Sequence, residues 1–267
     1  MTDTPASSPP VRHQRDARGV HTLTLDQPKA FNVLSEAALA ELQRQLDAIA
    51  ADEGARALVI AAEGKAFCAG HDLKQMKANP QLGYYQRLFA QCSMVMLSIQ
   101  RLPVPVIARV QGLATAAGCQ LVAQCDLAVA VDTARFGVNG IDVGLFCATP
   151  SVPLVRNIGA KAAMEMLLTG GFISAAQAQA QGLVNHVVPA DQLDEAVESL
   201  LAAIVAKPRV AVAMGKQLFY QQRELGIEAA YQLAGQSMAC NMALDVAQEG
   251  VQAFIDKREP TWRTPPH

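Results

Sequence analysis

Two short segments of this chain consist almost wholly of small residues, and each sits where a strand-like pattern gives way to a helical one. The first is Phe67-Cys68-Ala69-Gly70-His71-Asp72-Leu73. Gly70 lets the backbone turn tightly, and Asp72 can cap the helix that follows. The second, Gly112-Leu113-Ala114-Thr115-Ala116-Ala117-Gly118-Cys119-Gln120, ends an apolar run and opens a helix. A helix start leaves backbone N–H groups unpaired at the positive end of the dipole. Small side chains there let a ligand approach closely. Two such N–H groups, one from each turn, can hold a single developing oxyanion. Turns of small residues also serve packing alone, so either segment by itself leaves both readings open.

The elements that must carry these turns follow from the apolar pattern. Val20–Leu25 alternates and ends at Pro28, which reads as a strand. Ser35 caps a helix whose Leu39, Leu42, Leu46 and Ile49 recur at helical spacing. Ala57–Ala61 reads as a strand, with a loop over Gly64–Asp72 and a helix over Gln86–Gln100 that Pro103 and Pro105 close. Val106–Val110 and Asp126–Val131 are further strands around a helix near Ala117–Ala123. Ile141–Thr169 mixes turn and helix, and Leu183–Val188 is a last strand. Everything from Asp191 to about Lys257 reads as helix. Strands separated by helices imply parallel crossovers, hence an α/β core. The division expected is a flexible tail over 1–15, a core over 16–190 and a helical region over 191–267. The late helices carry more apolar residues (Leu218, Leu225, Leu233, Met238, Met242, Phe254) than an appendage buries alone, which points to subunit packing.

Composition narrows the function classes. The chain has 267 residues, 17% charged and 51% apolar, with a net charge of −2. That suits a packed domain and shows no basic footprint for nucleic acid. The first long helix offers only Arg44 among Glu36, Glu41 and Asp47, which also argues against an RNA-binding face. No apolar run approaches the ~18 residues of a membrane span. Met1–Pro10 lacks the apolar segment of a signal peptide, and Arg12, Arg15 and Arg18 make too short a stretch for a transit peptide, so a cytoplasmic location is expected. The six cysteines are expected to be buried free thiols. Cys68 and His71 have no second pair at ligand spacing, so no metal site is expected. No serine sits in a nucleophile-elbow context, which disfavours a Ser–His–Asp hydrolase.

Taken together, the segments resemble the crotonase (enoyl-CoA hydratase/isomerase) family. Leu25–Leu34 looks like its first signature, Phe67–Leu73 like its "AG-x-D" loop and Gln111–Leu121 like its Gly-rich turn, with Gln111 where the family usually has Asn. Gln124-Cys125-Asp126, Phe136-Gly137, Thr169-Gly170, Ile173-Ser174-Ala175, Gly182-Leu183-Val184 and Gly250–Arg258 extend the match from about residue 20 to 260. Val104-Pro105-Val106 and Gly144-Leu145-Phe146-Cys147 look most like the branch named enoyl-CoA hydratase domain-containing protein 3. The resemblance implies an α/β spiral of ββα units with a C-terminal helical trimerisation region, commonly two trimers stacked. It implies an acyl-CoA thioester as ligand, with coenzyme A part of the substrate and no separate cofactor.

The same resemblance implies roles for particular residues. The oxyanion donors fall on the backbone N–H groups of His71 and Ala117, the latter followed by Gly118. Ala stands at 117 where the family usually has Gly, and it keeps the N–H unless the turn needs positive φ. The CoA contacts fall on Lys29 and Ala30. Lys65, Ala69, Gly70, Asp72 and Leu73 fall along the pantetheine channel. Phe254 and Lys257 match residues that reach a CoA nucleotide from a neighbouring helix region.

Departures from the pattern bear on the reaction. A hydratase of this family uses two glutamates, one to take a proton from water and one to deliver a proton to carbon. Those positions here are Gln120 and Gly140. Each lost carboxylate removes a factor on the order of 10²–10⁴ in rate, so feeble hydration is expected, and Gln120→Glu with Gly140→Glu is expected to raise it. Asp142, two residues beyond Gly140, faces the same side in an extended segment and is a candidate substitute; the bland reading is a solvated or capping Asp. His71 is the other, since methylmalonyl-CoA decarboxylases of the family carry His in this turn; its imidazole can equally point away while its N–H works. A non-catalytic acyl-CoA binder and a malonyl- or methylmalonyl-CoA decarboxylase-like lyase remain open.

Overall fold

The computed structural model describes residues 9–263. Residues 1–8 of the expected tail, and His267, lie outside them.

Strands come first. The tail expected over 1–15 is corrected in part: Val11–Arg15 form β1, paired antiparallel with β2 (Val20–Leu25). Its polar lettering hid it, because as an edge strand it buries only Val11 fully. β3 (Ala57–Ala62) is buried along its whole length, as a strand covered on both faces must be. β4 (Ala66–Cys68) and β5 (Val106–Val110) follow, then β6 (Leu113–Thr115), β7 (Leu127–Val131), β8 (Arg135–Gly137), β9 (Ile173–Ser174) and β10 (His186–Val188).

These strands make two sheets. One runs β1-β2-β3-β5-β7-β10, parallel throughout except at β1; the other runs β4-β6-β8-β9. From β3 to β8 consecutive strands therefore alternate between sheets. β3 feeds β4, β5 feeds β6 and β7 feeds β8, and each pair stacks on the pair before it. From β3 to β8 the chain is a coil of strand–strand–helix turns, with short strands such as β4 and β6 in its second sheet.

Helices close each turn. α1 (Glu36–Ala51) starts where the Ser35 side chain accepts from the Ala38 N–H at 3.2 Å, and it buries Leu39, Leu42, Leu46 and Ile49. α2 (Leu73–Ala78) begins at Asp72, whose Oδ1 accepts from the N–H groups of Lys74 and Gln75. α3 (Leu82–Arg101) ends just before Pro103, and α4 (Ala117–Gln124) follows β6. α5 (Ala148–Leu154), α6 (Ala160–Thr169), α7 (Ala175–Gln181) and α8 (Leu193–Val205) complete the core.

The last helices behave differently. α9 (Arg209–Gln222) buries none of its residues, α10 (Ile227–Met242) only Ala230, and α11 (Asp245–Ile255) only Ala253. α9 is nonetheless fastened firmly. Lys216 Nζ lies 2.7 Å from Asp126 Oδ2 and donates to the carbonyls of Ile99 and Val104, and the Tyr220 hydroxyl donates to Asp126 Oδ1 at 2.8 Å. No described helix is long and apolar enough to cross a membrane.

Candidate functional site

The two small-residue turns lie on successive turns of the coil, so the fold brings them into contact. Gly70 has φ +90°, and a Cβ there would come 2.9 Å from Ala116 Cβ and 3.2 Å from the Ala117 nitrogen. Gly118 packs as closely: its missing Cβ would meet the Cys68 carbonyl oxygen at 2.0 Å. Only glycine permits this approach at either position.

Within that contact, Ala117 is the first residue of α4, and its N–H belongs to the helix-start set with no partner inside the helix. The positive φ of the turn falls on Ala116 (φ 50°, ψ −121°) rather than on Ala117. Alanine at 117 is therefore compatible with the turn. His71 is held from the other side by the bridge between Leu34 and His71, with the Leu34 N–H donating to the Gly70 carbonyl at 2.7 Å. No backbone acceptor faces the His71 N–H among the described residues.

Both turns open on a cleft of about 280 Å³ whose walls include Ala69, His71, Leu73, Ala117 and Gly140. Phe89, Leu145 and Phe146 supply apolar surface. None of its lining residues is Asp, Glu, Lys or Arg. His71 is the one imidazole there. Desolvation lowers its pKa to about 4, its ring meets Phe89 edge to face at 5.4 Å, and its Nε2 is buried without a partner. It is a neutral imidazole at physiological pH.

The remaining expected site residues are placed as follows. Gln120 is buried in α4, its Oε1 without a partner, and it does not line the cleft. Asp142 is exposed and turns its carboxylate toward Gly170 instead of the cleft, so the structure does not support it as a substitute base. Asp72 serves as the α2 cap. Lys29 and Ala30 lie exposed on the 3-10 turn Pro28–Ala30, and Lys65 is exposed at the β3–β4 corner. Phe254 is 85% exposed on α11 and Lys257 is exposed just beyond it; neither lines the cleft within this chain.

Three residues escaped the sequence reading. Asn32, buried with φ 53°, accepts from the Gln27 N–H through Oδ1 and donates through Nδ2 to the carbonyls of Glu63 and Ala66. It ties the turn bearing Lys29 to the corner bearing Lys65. Cys147 and Asn139 both line the cleft. The Cys147 sulfur accepts from the Gly140 N–H at 3.3 Å, and burial raises its thiol pKa. Asn32 and Cys147 stood inside the segments Leu25–Leu34 and Gly144–Cys147 that carried the resemblance, without roles of their own; nothing in the lettering singled out Asn139. The cysteines are free: Cys68, Cys92, Cys119, Cys125 and Cys147 are buried and Cys240 is exposed.

Known proteins share much of this sequence and its fold. A family profile described as enoyl-CoA hydratase/isomerase matches residues 15–265. A rat protein named enoyl-CoA hydratase domain-containing protein 3, mitochondrial, is 44% identical over 97% of this chain and 86% of its own length. The crystal structure of an enoyl-CoA hydratase of Mycobacterium smegmatis is 62% identical with a TM-score of 0.95, covering 96% of this chain and all (100%) of that one. That of the human enoyl-CoA hydratase domain-containing protein 3 is 44% identical with a TM-score of 0.92, covering 95% of this chain and 100% of that one. The expected cytoplasmic location is corrected by these relatives: the rat, mouse, human and frog proteins of that branch are named mitochondrial. Matched almost from end to end, the chain belongs to the enoyl-CoA hydratase/isomerase (crotonase) family.

Proposed function

We propose that the chain is an enzyme that binds an acyl-CoA thioester and receives its carbonyl oxygen between the backbone N–H groups of His71 and Ala117. The observation that carries this reading is the contact between the two turns at the mouth of a charge-free cleft. In such surroundings, fixed N–H dipoles act strongly on an enolate oxygen, because little water competes with them. Hydration is weak under this reading, since Gln120 and Gly140 offer no carboxylate and no lining group replaces one. Lys29, Ala30 and Lys65 meet the CoA portion, and Phe254 and Lys257 meet it from a neighbouring subunit. Residues 16–190 form the catalytic core, and 191–267 assemble three chains, or two such trimers, through the uncovered helices. No metal or redox group takes part.

Calorimetry with butyryl-CoA in the presence of a chelator tests this. Binding in the micromolar range is expected, retained in His71→Ala, which keeps the backbone N–H. No heat at millimolar ligand would end the proposal. A second reading, a binder without turnover, is favoured by the absence of any carboxylate in the cleft. Mass spectrometry of a panel of enoyl-, 3-hydroxyacyl- and malonyl-CoAs separates the two: conversion of any member supports the enzyme.

A further inference from the structure

The cleft carries no full charge, yet its wall is not wholly apolar. Asn139 lines it, immediately before Gly140. Its Oδ1 accepts a hydrogen bond from the Thr115 hydroxyl at 2.6 Å, and Thr115 is itself buried at the end of β6. The amide is thereby oriented from behind. Thr115 takes one lone pair of Oδ1, and the donors the side chain has to offer are the two N–H groups on Nδ2, which make no hydrogen bond among the described residues. The imidazole of the cleft, with its Nε2 also unpartnered, belongs to a neutral ring.

We propose that Asn139, pinned by Thr115, is a specificity-determining residue of the cleft: its amide N–H groups receive a hydroxyl or keto oxygen of an uncharged acyl group, so that neutral oxygenated acyl thioesters are preferred over acyl groups that end in a carboxylate. This rests on the acyl-CoA reading above. A neutral oxygen gains one amide hydrogen bond and leaves no charge behind. A carboxylate placed among Phe89, Leu145 and Phe146 gives up its water shell and meets no ammonium or guanidinium group in return.

The test is calorimetry on the full chain with butyryl-CoA, 3-hydroxybutyryl-CoA and malonyl-CoA. For the natural protein, 3-hydroxybutyryl-CoA should bind about 2- to 10-fold more tightly than butyryl-CoA, the range expected for one hydrogen bond. Malonyl-CoA should bind at least about tenfold more weakly than butyryl-CoA. In Asn139→Ala the hydroxybutyryl-to-butyryl ratio should collapse to about one. Asn139→Leu, of nearly the same shape but without polar atoms, should do the same and covers the case that the alanine variant fails to fold. A hydroxyl preference that survives both substitutions, or malonyl-CoA binding as tight as butyryl-CoA, overturns the proposal alone. Absence of binding by all three ligands overturns the acyl-CoA reading, and this proposal falls with it.

Discussion

The sulfur of Cys147 sits where a side chain on Gly140 would begin. The Gly140 N–H donates to it at 3.3 Å, and a Cβ on Gly140 would lie 2.8 Å from it and 2.4 Å from the Leu145 carbonyl oxygen. The expected rescue of hydration by restoring glutamate is therefore corrected for this position. Gly140→Glu, alone or with Gln120→Glu, should leave crotonyl-CoA hydration near its starting value. It should also lower stability by about 1–3 kcal/mol through overpacking. Loss of the enoyl absorbance and a urea titration measure the two effects. A gain in rate on the order of 10² or more would show that the loop opens to admit the side chain.

His71 gives the fold a dependence on pH. Its folded-state pKa of about 4 lies below the ordinary 6.5 because burial disfavours the imidazolium. Between those values the unfolded chain holds a proton that the folded chain does not, so stability falls as pH drops from 6.5 toward 4 and is unaffected above 6.5. The full effect is about 3 kcal/mol. Melting curves of the natural protein and of His71→Leu should run parallel above pH 7 and converge in acid. Parallel curves down to pH 4 would mean that water reaches the ring.

Ala116 holds φ 50° and ψ −121°, a conformation that costs an L-residue with a Cβ about 1–3 kcal/mol. Ala116→Gly should therefore stabilise the protein, by about 1 kcal/mol after the added freedom of the unfolded chain is subtracted. Chemical denaturation should show a raised midpoint with an unchanged slope. A lowered midpoint would indicate that the methyl group packs against the Gly70 turn more favourably than the backbone resents it.

Much of this architecture could be read from the lettering, and the reasons differ by element. Val20–Leu25 coincides with β2, legible by its alternation, and Val106–Val110 with β5, where a buried strand leaves a largely apolar run. α1 was legible through Ser35 and its leucines. β1 was not, since Arg12, His13, Gln14 and Arg15 face outward at a sheet edge. β4, β6 and β8 have three residues each, too few for any period to show. The paired turns at His71 and Ala117 were legible because small residues announce close approach. Asn139 was not, because its place in the cleft depends on Thr115, 24 positions earlier. Asp142 shows the opposite error: an i, i+2 inference holds only in extended backbone, and Asn139–Val143 is a 3-10 turn.

Ile227, Tyr231 and Met238 are more than 70% exposed on α10. Apolar surface of that extent along one helix is where the proposed assembly would close. Ile227→Glu with Met238→Glu should shift the mass found by light scattering toward one chain while helical circular dichroism is kept. If the natural protein already scatters as a monomer at micromolar concentration, the assembly proposed for 191–267 is wrong.

Lys216→Ala should cost about 3–5 kcal/mol, since it strands Asp126 without its buried cation. Limited proteolysis should then cut near residues 206–208, ahead of α9, before the core is touched. A variant as resistant as the natural chain would mean that Tyr220, with Arg209 donating to the Ala55 carbonyl at 2.9 Å, fixes the helix without Lys216.

The same fastening bears on how chains meet. Because Lys216, Tyr220 and Asp126 lock α9 to the core of its own chain, the apolar stripe on the helices after it is presented before any neighbour arrives. In the assembly proposed above, chains separated by dilution are thus folded objects with adhesive flanks, not unravelled ones. They can trade neighbours without melting, so differently labelled populations should shuffle into mixed assemblies faster than either population unfolds.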